Sequence, residues 1–396
     1  MKKWNKTLRS VLVSSAAAGM LFVGSAVAQD GEDGISIGGA LRYNFFVKAF
    51  EDDITANDVE MTWDTWRLNV SGQKSDFLID FEYRFYPFDQ AHFIHHGWVG
   101  YNWNENTQLE LGVTQVPFGD LPYASHSYWF STAYYLGFED DYDMGLKLTH
   151  KLNNIDLALA YFIQADPRGV GFVPDAARYS YDLVPFTPLD TAEVSASNIE
   201  RNQVNGRVAY TLELGEEDNV EVGASGQYGQ IYNSEVGEDD AWRNRYAGAG
   251  HVDANFGPFN LKLHTIYYKF DAVDDEGNTL DEILMGAYGF PYQVVTNAAL
   301  YTAGLSYELP FQLGPASFTV YNDYTYTDKI DDDFEDAQQN TFGVLVAAGP
   351  IYTYVDLASG YNHPWLTNDF GTGLGVASQD DLQWNHRFNI NLGYYF

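Results

Sequence analysis

The sequence predicts an all-β protein, a transmembrane antiparallel β-barrel of about 16 strands with short periplasmic turns and long extracellular loops. Two observations predict it. Apolar and polar residues alternate in segment after segment, as in strands whose two faces meet different surroundings. The links between these segments also alternate between short and long, which places all long loops at one rim.

The N-terminus predicts an export signal. Basic residues occupy much of the first nine positions, an apolar stretch follows from Val11 to Val23, and Ala26 to Ala28 supplies a cleavage pattern of small residues. We therefore expect 1–28 to be a signal peptide and 29–396 to form the barrel. The alternative is a retained anchor helix, but the apolar stretch is too short for a stable membrane span.

The amino-acid composition favours strands and excludes nucleic acid as a partner. Aromatic residues make up 16% of the chain, with 30 Tyr and 26 Phe, and these residues favour strands. There is no cysteine, and a closed barrel, in which every strand is paired, needs no disulfide. The net charge of −34 excludes nucleic acid as a partner, because a phosphate backbone requires a basic surface.

The alternation is clearest at the C-terminus. Phe388, Ile390 and Leu392 share one face there, and Asn389 and Asn391 share the other. The pattern recurs along the chain and predicts 16 strands, near 35–47, 61–72, 76–86, 91–103, 108–115, 142–151, 155–165, 202–212, 219–231, 244–256, 259–270, 297–308, 316–327, 340–348, 351–360 and 383–396.

The polar face carries full charges in mid-strand. Asp80, Glu82 and Arg84 alternate with apolar residues in the segment 76–86. A dry protein core does not tolerate unpaired charges, whereas a water-filled lumen does. We therefore expect the polar faces to line an aqueous interior and the apolar faces to contact lipid.

The links between the predicted strands fall into two classes. Every second link is short and several carry turn residues: 102–106, 151–154, 257–258, 314–315 and 349–350. Most of the others are long: 116–141, 166–201, 271–296 and 361–382. Outer-membrane barrels segregate their loops in this way.

The stretch from Leu109 to Lys147 resembles a known family. The run LELGVTQVPFG from Leu109 to Gly119 is followed by an aromatic-rich loop and by GFEDDYDMG from Gly137 to Gly145. These segments resemble the fifth strand, third loop and sixth strand of outer-membrane porins of the phosphate-selective O/P type, and the terminal Phe396 resembles the assembly signal of outer-membrane barrels.

The resemblance implies a homotrimer whose third loop, here about 116–141, folds into the pore and narrows it. Phosphate-selective members line the constriction with Arg and Lys, but this loop contains neither. It carries acidic residues instead: Asp120, Glu139, Asp140 and Asp141.

Strand alternation points a set of basic side chains into the lumen: Arg42, Arg67, Arg84, Lys147, Arg207, Arg245, Lys262 and Arg387. One interpretation is a basic wall that faces the acidic third loop and sets up a transverse field. The other is that these residues pair with luminal acids, namely Asp80, Glu82, Asp156, Glu221, Asp253 and Asp323. Both interpretations stay open at this point.

Five residues do not fit the alternation. Asp64, Lys269 and His386 fall on the lipid-facing side, near the long-loop ends of their strands. Ile266 and Phe270 fall on the luminal side, where contact with an infolded loop would explain them.

Acidic clusters lie mostly on the long-loop rim: Glu51–Asp53, Glu238–Asp240, Asp274–Glu276 and Asp331–Asp333, with Glu216–Asp218 in a periplasmic turn as the exception. One interpretation is a solvated surface. The other is that loop-bound divalent cations bridge them to lipopolysaccharide phosphates, because carboxylates are hard oxygen ligands. We expect no other cofactor.

The sequence does not predict an enzyme. In a regular strand His95 faces away from His92 and His96, and these two are too far apart to share a metal ion. His126 and Ser127 are adjacent in a loop without an evident orienting group.

We therefore expect a bacterial outer-membrane porin, a water-filled channel for passive diffusion of small hydrophilic solutes and ions. The alternatives are an anion-selective or phosphate-selective porin, or a barrel that acts through its loops as an adhesin, phage receptor or surface hydrolase. Replacing Arg84 and Arg207 by Ala is expected to shift ion preference toward cations.

Overall fold

The computed structural model describes residues 33–50, 59–185, 196–215, 218–237, 240–330, 333–367, 370–371, 373–375 and 382–396. The expected signal peptide, 1–28, lies outside these residues, as do Glu51–Asp53, Glu216–Glu217, Glu238–Asp239 and Asp331–Asp332 of the acidic clusters. None of the helices in the described ranges has the length and apolar character that crossing a membrane requires.

The fold is one closed antiparallel barrel of 16 strands, as the sequence predicted. Its strands are β1 Gly34–Lys48, β2 Glu60–Lys74, β3 Phe77–Tyr86, β4 Ala91–Asn104, β5 Thr107–Gln115, β6 Tyr142–Leu152, β7 Ile155–Ala165, β9 Asn198–Glu213, β10 Asn219–Asn233, β11 Trp242–Phe256, β12 Phe259–Phe270, β15 Asn297–Glu308, β16 Ser317–Lys329, β17 Ala337–Ala348, β18 Ile351–Tyr361 and β19 Trp384–Tyr395. The predicted boundaries differ from these by at most four residues, at the start of β9.

The barrel closes where the first strand pairs with the last, with Leu41 opposite Tyr394. Closure leaves no strand edge unpaired, so the sheet offers no template for aggregation. Both chain ends of the barrel lie at the rim of short turns, and the long loops lie at the opposite rim. We call these the short-turn rim and the long-loop rim.

The outer surface of the barrel is apolar. Along β7, Leu157, Leu159, Tyr161 and Ile163 all point outward, and Leu159 is 61% exposed. The inner face of the same sheet carries the buried polar groups, including Arg42, Glu82, Gln203 and Asn391. An apolar exterior around a polar interior reverses the arrangement of a water-soluble protein and suits a wall between lipid and water.

The long loops form structure that the alternation does not predict. Three short strands, β8 Asp182–Leu183, β13 Glu282–Ala287 and β14 Phe290–Val295, make a small sheet inside the long-loop half of the barrel. Aromatic side chains from several loops pack there, including Tyr134 against Tyr181 and Tyr181 against Tyr292, with ring centroids 5.2 Å and 5.5 Å apart. The interior therefore contains an aromatic cluster between the loops in addition to the polar side chains of the strands.

Candidate functional site

The third loop, 116–141, folds into the barrel, as the sequence predicted. It is held to the inner wall at several points. Lys262 Nζ on β12 lies 2.8 Å from Asp120 Oδ2, His126 Nδ1 lies 2.7 Å from Asp323 Oδ1 on β16, and the Gly119 amide donates to Ser225 Oγ at 2.8 Å. Links to widely separated strands fix the loop across the lumen.

Glu139 gives the loop its internal shape. Its carboxylate accepts hydrogen bonds from the Ala124 amide at 3.0 Å and the Ser131 amide at 2.9 Å, and also from the hydroxyls of Ser125 and Ser131. A buried carboxylate with this many donors is a structural brace, so Glu139 is occupied in holding the loop rather than facing a solute.

A continuous cavity of about 710 Å³ runs beside the loop. Its lining includes Phe50 and Thr367 at the long-loop rim and Gly257 and Pro258 at the short-turn rim. Because the lining of one cavity includes residues of both rims, the described parts of the infolded loops narrow the barrel without filling it.

Four basic residues lie on neighbouring strands along one side of this cavity. Arg387, Arg42, Arg67 and Arg84 belong to β19, β1, β2 and β3, which are consecutive in the barrel. We call these four residues the basic wall. Lys262 also lines the cavity, whereas Lys147, Arg207 and Arg245 are interior side chains outside its lining. The structure therefore brings five of the eight predicted basic residues to one passage.

Most of the eight basic residues have a carboxylate oxygen within 4.0 Å. The pairs are Arg42–Asp64 at 2.8 Å, Arg67–Glu82 at 3.9 Å, Arg84–Glu82, Lys147–Glu110 at 2.9 Å, Arg207–Glu221 at 2.6 Å, Arg245–Glu200, and Lys262 with Asp120 at 2.8 Å and Asp253 at 2.9 Å. The pairing interpretation therefore describes seven of the eight positions, although several partners differ from those expected.

Arg387 differs from the other seven. Its guanidinium lies over the Phe46 ring, 3.9 Å from the centroid, and 4.9 Å from the centroid of Trp129 in the third loop. No described carboxylate lies within ion-pair distance of it. Ring faces stabilise a cation without neutralising it, so Arg387 carries its full charge at the passage.

The acidic residues predicted for the constriction are mostly turned away from it. Among Asp120, Glu139, Asp140 and Asp141, only Asp140 lines the cavity. Asp120 is paired with Lys262 and Glu139 braces the loop. The cavity instead takes most of its acidic residues from elsewhere. Among the described residues its lining holds six acidic groups (Glu60, Asp64, Asp89, Asp140, Asp253, Glu308) and six basic ones (Arg42, Lys48, Arg67, Arg84, Lys262, Arg387).

Two β-bulges change the predicted facing of Asp64 and the prediction that His95 faces away from His96. The pairing of β1 with β2 shifts between Arg42 and Tyr43, and the extra residue, Asp64, turns inward to Arg42. The pairing of β3 with β4 shifts in the same way, and His95 and His96 both lie inside with their Nδ1 atoms 2.7 Å apart. A bulge adds one residue to one strand, so alternation fails locally.

The other exceptions keep their predicted faces. Lys269 stays near the long-loop end of its strand, with its Nζ 3.8 Å from Asp271 Oδ1. His386 Nδ1 and Ser359 Oγ share a hydrogen bond of 2.8 Å. Phe270 is buried with its ring centroid 6.4 Å from that of Phe138 in the third loop, and Ile266 belongs to the same buried cluster. Contact with an infolded loop therefore explains the apolar pair.

The His126–Ser127 pair has an orienting carboxylate that the sequence did not reveal. Asp323 contacts His126 Nδ1, but His126 Nε2 faces Asn260 Oδ1 at 2.6 Å, and Ser127 Oγ donates to the Phe130 carbonyl at 3.4 Å. The histidine does not face the hydroxyl, so this pair is arranged as a loop anchor rather than a nucleophile with its base.

Comparison with known proteins gives the fold. No family model matches the sequence, and no curated protein matches it. The barrel is similar to the outer-membrane channel DcaP of Acinetobacter baumannii, with 12% identity, a TM-score of 0.58, and coverage of 93% of this chain and 99% of that one. It is also similar to the anion-selective porin from Comamonas acidovorans, with 12% identity, a TM-score of 0.57, and coverage of 92% and 100%.

A third similar structure is the trimer form of OmpT, an outer-membrane protein of Vibrio cholerae, with 11% identity, a TM-score of 0.54, and coverage of 92% and 99%. At these identities the likeness concerns the fold. The described barrel thus has the fold of porins and channels of the bacterial outer membrane over nearly its whole length.

Proposed function

We propose that this protein is a porin of the bacterial outer membrane, a water-filled channel for passive diffusion of small hydrophilic solutes and ions. One observation carries the proposal: a single cavity of about 710 Å³ reaches from the long-loop rim to the short-turn rim inside a closed barrel. The charged and hydrogen-bonding groups along it suit hydrated solutes, and the apolar exterior suits a bilayer.

The balanced lining favours a general pore over one dedicated to phosphate. Six described acidic groups accompany six described basic groups along the cavity, and three members of the basic wall are paired with carboxylates. A second candidate is mild anion preference, which the unpaired charge of Arg387 supports. Because Arg84 lines the cavity and Arg207 does not, replacing Arg84 by Ala should shift preference toward cations more than the same change at Arg207.

The proposed assembly is a homotrimer in a membrane whose lipid includes lipopolysaccharide. The trimer form of OmpT supports the assembly by its common fold. For the acidic loop clusters we propose bridging to lipopolysaccharide phosphates through divalent cations. In the cluster Asp274–Glu276, Asp274 accepts hydrogen bonds from the Glu276 and Asn278 amides at 3.0 Å and 2.7 Å, and Asp275 accepts from the Ser197 amide at 2.8 Å. The exposed Glu276 is therefore the member best suited to such bridging.

Liposome swelling tests the proposal. Purified protein, reconstituted into liposomes and diluted into isotonic solutions of neutral sugars, should admit small sugars and exclude large ones. A shift in gel mobility after boiling shows that the barrel is folded in the same preparation. Folded protein that admits no sugar would contradict the porin proposal and favour a barrel that acts through its loops.

A further inference from the structure

A group of buried carboxylates lies apart from the passage, where the inner wall meets the third and fourth loops. Asp143 and Glu200 come from β6 and β9, and Asp141, Asp166 and Asp182 come from the loops. All five are buried, with Asp143 only 1% exposed. Carboxylates this deep require compensation, because burying an uncompensated charge is costly.

Two guanidinium groups compensate the cluster only in part. Arg178 Nη1 lies 3.2 Å from Asp182 and 3.7 Å from Asp166, and Arg245 pairs with Glu200. Five carboxylates and two guanidinium groups leave a formal charge of −3 when all are ionised. Among the described residues, neither Asp141 nor Asp143 has a cationic side chain within 4.0 Å.

The remaining oxygens point to a ligand. Four carboxylate oxygens of the cluster, Asp141 Oδ1, Asp143 Oδ1, Asp166 Oδ1 and Glu200 Oε2, are buried without a hydrogen-bond partner among the described residues, and Asp141 is 7% exposed. Oxygens of Asp141, Asp143 and Asp182 lie within 4.8 Å of one another. Buried acceptors normally have donors, so four unpartnered carboxylate oxygens of one cluster are an arrangement that a cation would complete.

We propose that Asp141, Asp143 and Asp182 bind one divalent cation of the calcium class. Calcium takes six to eight oxygen ligands at about 2.3–2.6 Å in flexible geometry, and magnesium demands shorter, near-octahedral contacts. Two oxygens on opposite sides of one calcium ion are therefore up to about 5 Å apart, which matches the observed spacing.

The bound ion would have a structural role. Asp141 ends the third loop, Asp182 belongs to the fourth, and Asp143 is part of the wall, so one cation would hold both loops to β6. This inference concerns the loops' attachment and does not depend on which solutes pass.

A second group of possible ligands carries no such inference. Asp120, Glu221 and His251 also bring their ligand atoms together, but cations of the protein already occupy the position. Lys262 lies 2.8 Å from Asp120, and Arg207 lies 2.6 Å from Glu221. A metal ion there would have to displace them.

Calorimetric titration with calcium chloride tests the proposal. The full-length folded protein in detergent, freed of metal by chelation and free of lipopolysaccharide, should show one saturable site per chain, with Kd on the order of 10⁻⁴ to 10⁻³ M or tighter. The double variant Asp141→Asn, Asp143→Asn should lose this site. The control Asp76→Asn, Glu105→Gln removes two exposed turn carboxylates and should keep it.

Two outcomes would overturn the proposal: folded wild-type protein without a saturable site, or a site that the double variant retains. Should the double variant not fold, Asp141→Asn alone decides, because it removes one ligand from the loop side. The single variant should then bind calcium at least about tenfold more weakly than the control, and equal affinity would overturn the proposal.

Discussion

The Lys262 ammonium on β12 lies 2.8 Å from the Asp120 carboxylate in the third loop. Lys262 also contacts Asp253 at 2.9 Å and donates to the Tyr123 carbonyl at 2.8 Å. One side chain therefore joins two carboxylates and a loop carbonyl, and it fixes the third loop to the inner wall beside the cavity.

Replacing Lys262 by Met should loosen the third loop. The change leaves the buried Asp120 and the half-buried Asp253 without their cation, and breaking a buried pair such as Lys262–Asp120 costs about 3–5 kcal/mol. We expect a larger single-channel conductance and more current noise. We also expect the gel mobility to shift at a lower heating temperature.

The matched control for this change is Lys151→Met. Lys151 makes an exposed pair with Asp156 at 3.5 Å, and such pairs contribute only about 0–1 kcal/mol. If the Lys262 variant conducts and melts like this control, the loop is not held by Lys262.

Arg387→Gln should shift ion preference toward cations. The Arg387 guanidinium lies against the Phe46 and Trp129 rings, and no described carboxylate pairs with it. The reversal potential across a potassium chloride gradient measures the shift. Arg243→Gln removes an equal charge from the rim, where Arg243 pairs with Asp240 at 3.2 Å, and should change the reversal potential less. An equal shift in both variants would remove Arg387 from the selective part of the passage.

Asp140 should make ion preference depend on pH. Burial raises the pKa of Asp140 to about 7, although the hydrogen bond from Tyr179 and the charge of Arg84 lower it. The carboxyl group is therefore neutral below that pH and negative above it, so cation preference should rise as pH increases through 7. Asp140→Asn should remove this step from the reversal potential measured against pH.

Asp89 provides the comparison. It also lines the cavity, and burial raises its pKa to about 6. Asp89→Asn should therefore leave the step near pH 7 in place. Persistence of that step in the Asp140 variant would assign the titration to another group.

A charge on the outer face should hinder insertion. Leu159 is 61% exposed on the outward face of β7, and Arg at mid-depth in a bilayer costs about 2–4 kcal/mol. Leu159→Arg should therefore lower the free energy of unfolding from lipid vesicles by that amount. A denaturant titration measures this energy, with the gel-mobility shift reporting the folded fraction. Thr149→Arg, on the inner face of β6, should change it little, and similar losses in both would contradict the lipid-facing assignment.

The sequence predicted the barrel because the alternation recurs in 16 strands, so a local exception in one strand does not hide the pattern in the others. It failed at Asp64 and His95 because a bulge inserts a single residue without changing composition. It also missed the loop interior. Tyr181 and Tyr292 meet only after two long loops fold into the barrel, and no periodicity records contacts between segments without regular structure.

The site residues were predictable to a similar degree. Alternation placed the basic wall inside, but it did not reveal that Asp64 would pair with Arg42 or that Glu139 would brace the loop. The cluster of Asp141, Asp143 and Asp182 was missed because Asp182 lies in a different loop, far along the chain from the other two.

Single-channel recording of the wild-type protein in a planar bilayer tests the central claim most directly. A cavity whose lining includes residues of both rims predicts stepwise, ohmic conductance in potassium chloride, with steps grouped in threes if the channel is a homotrimer. Folded protein that inserts into the bilayer without conducting would contradict the account, because the passage between the rims would then be closed to ions.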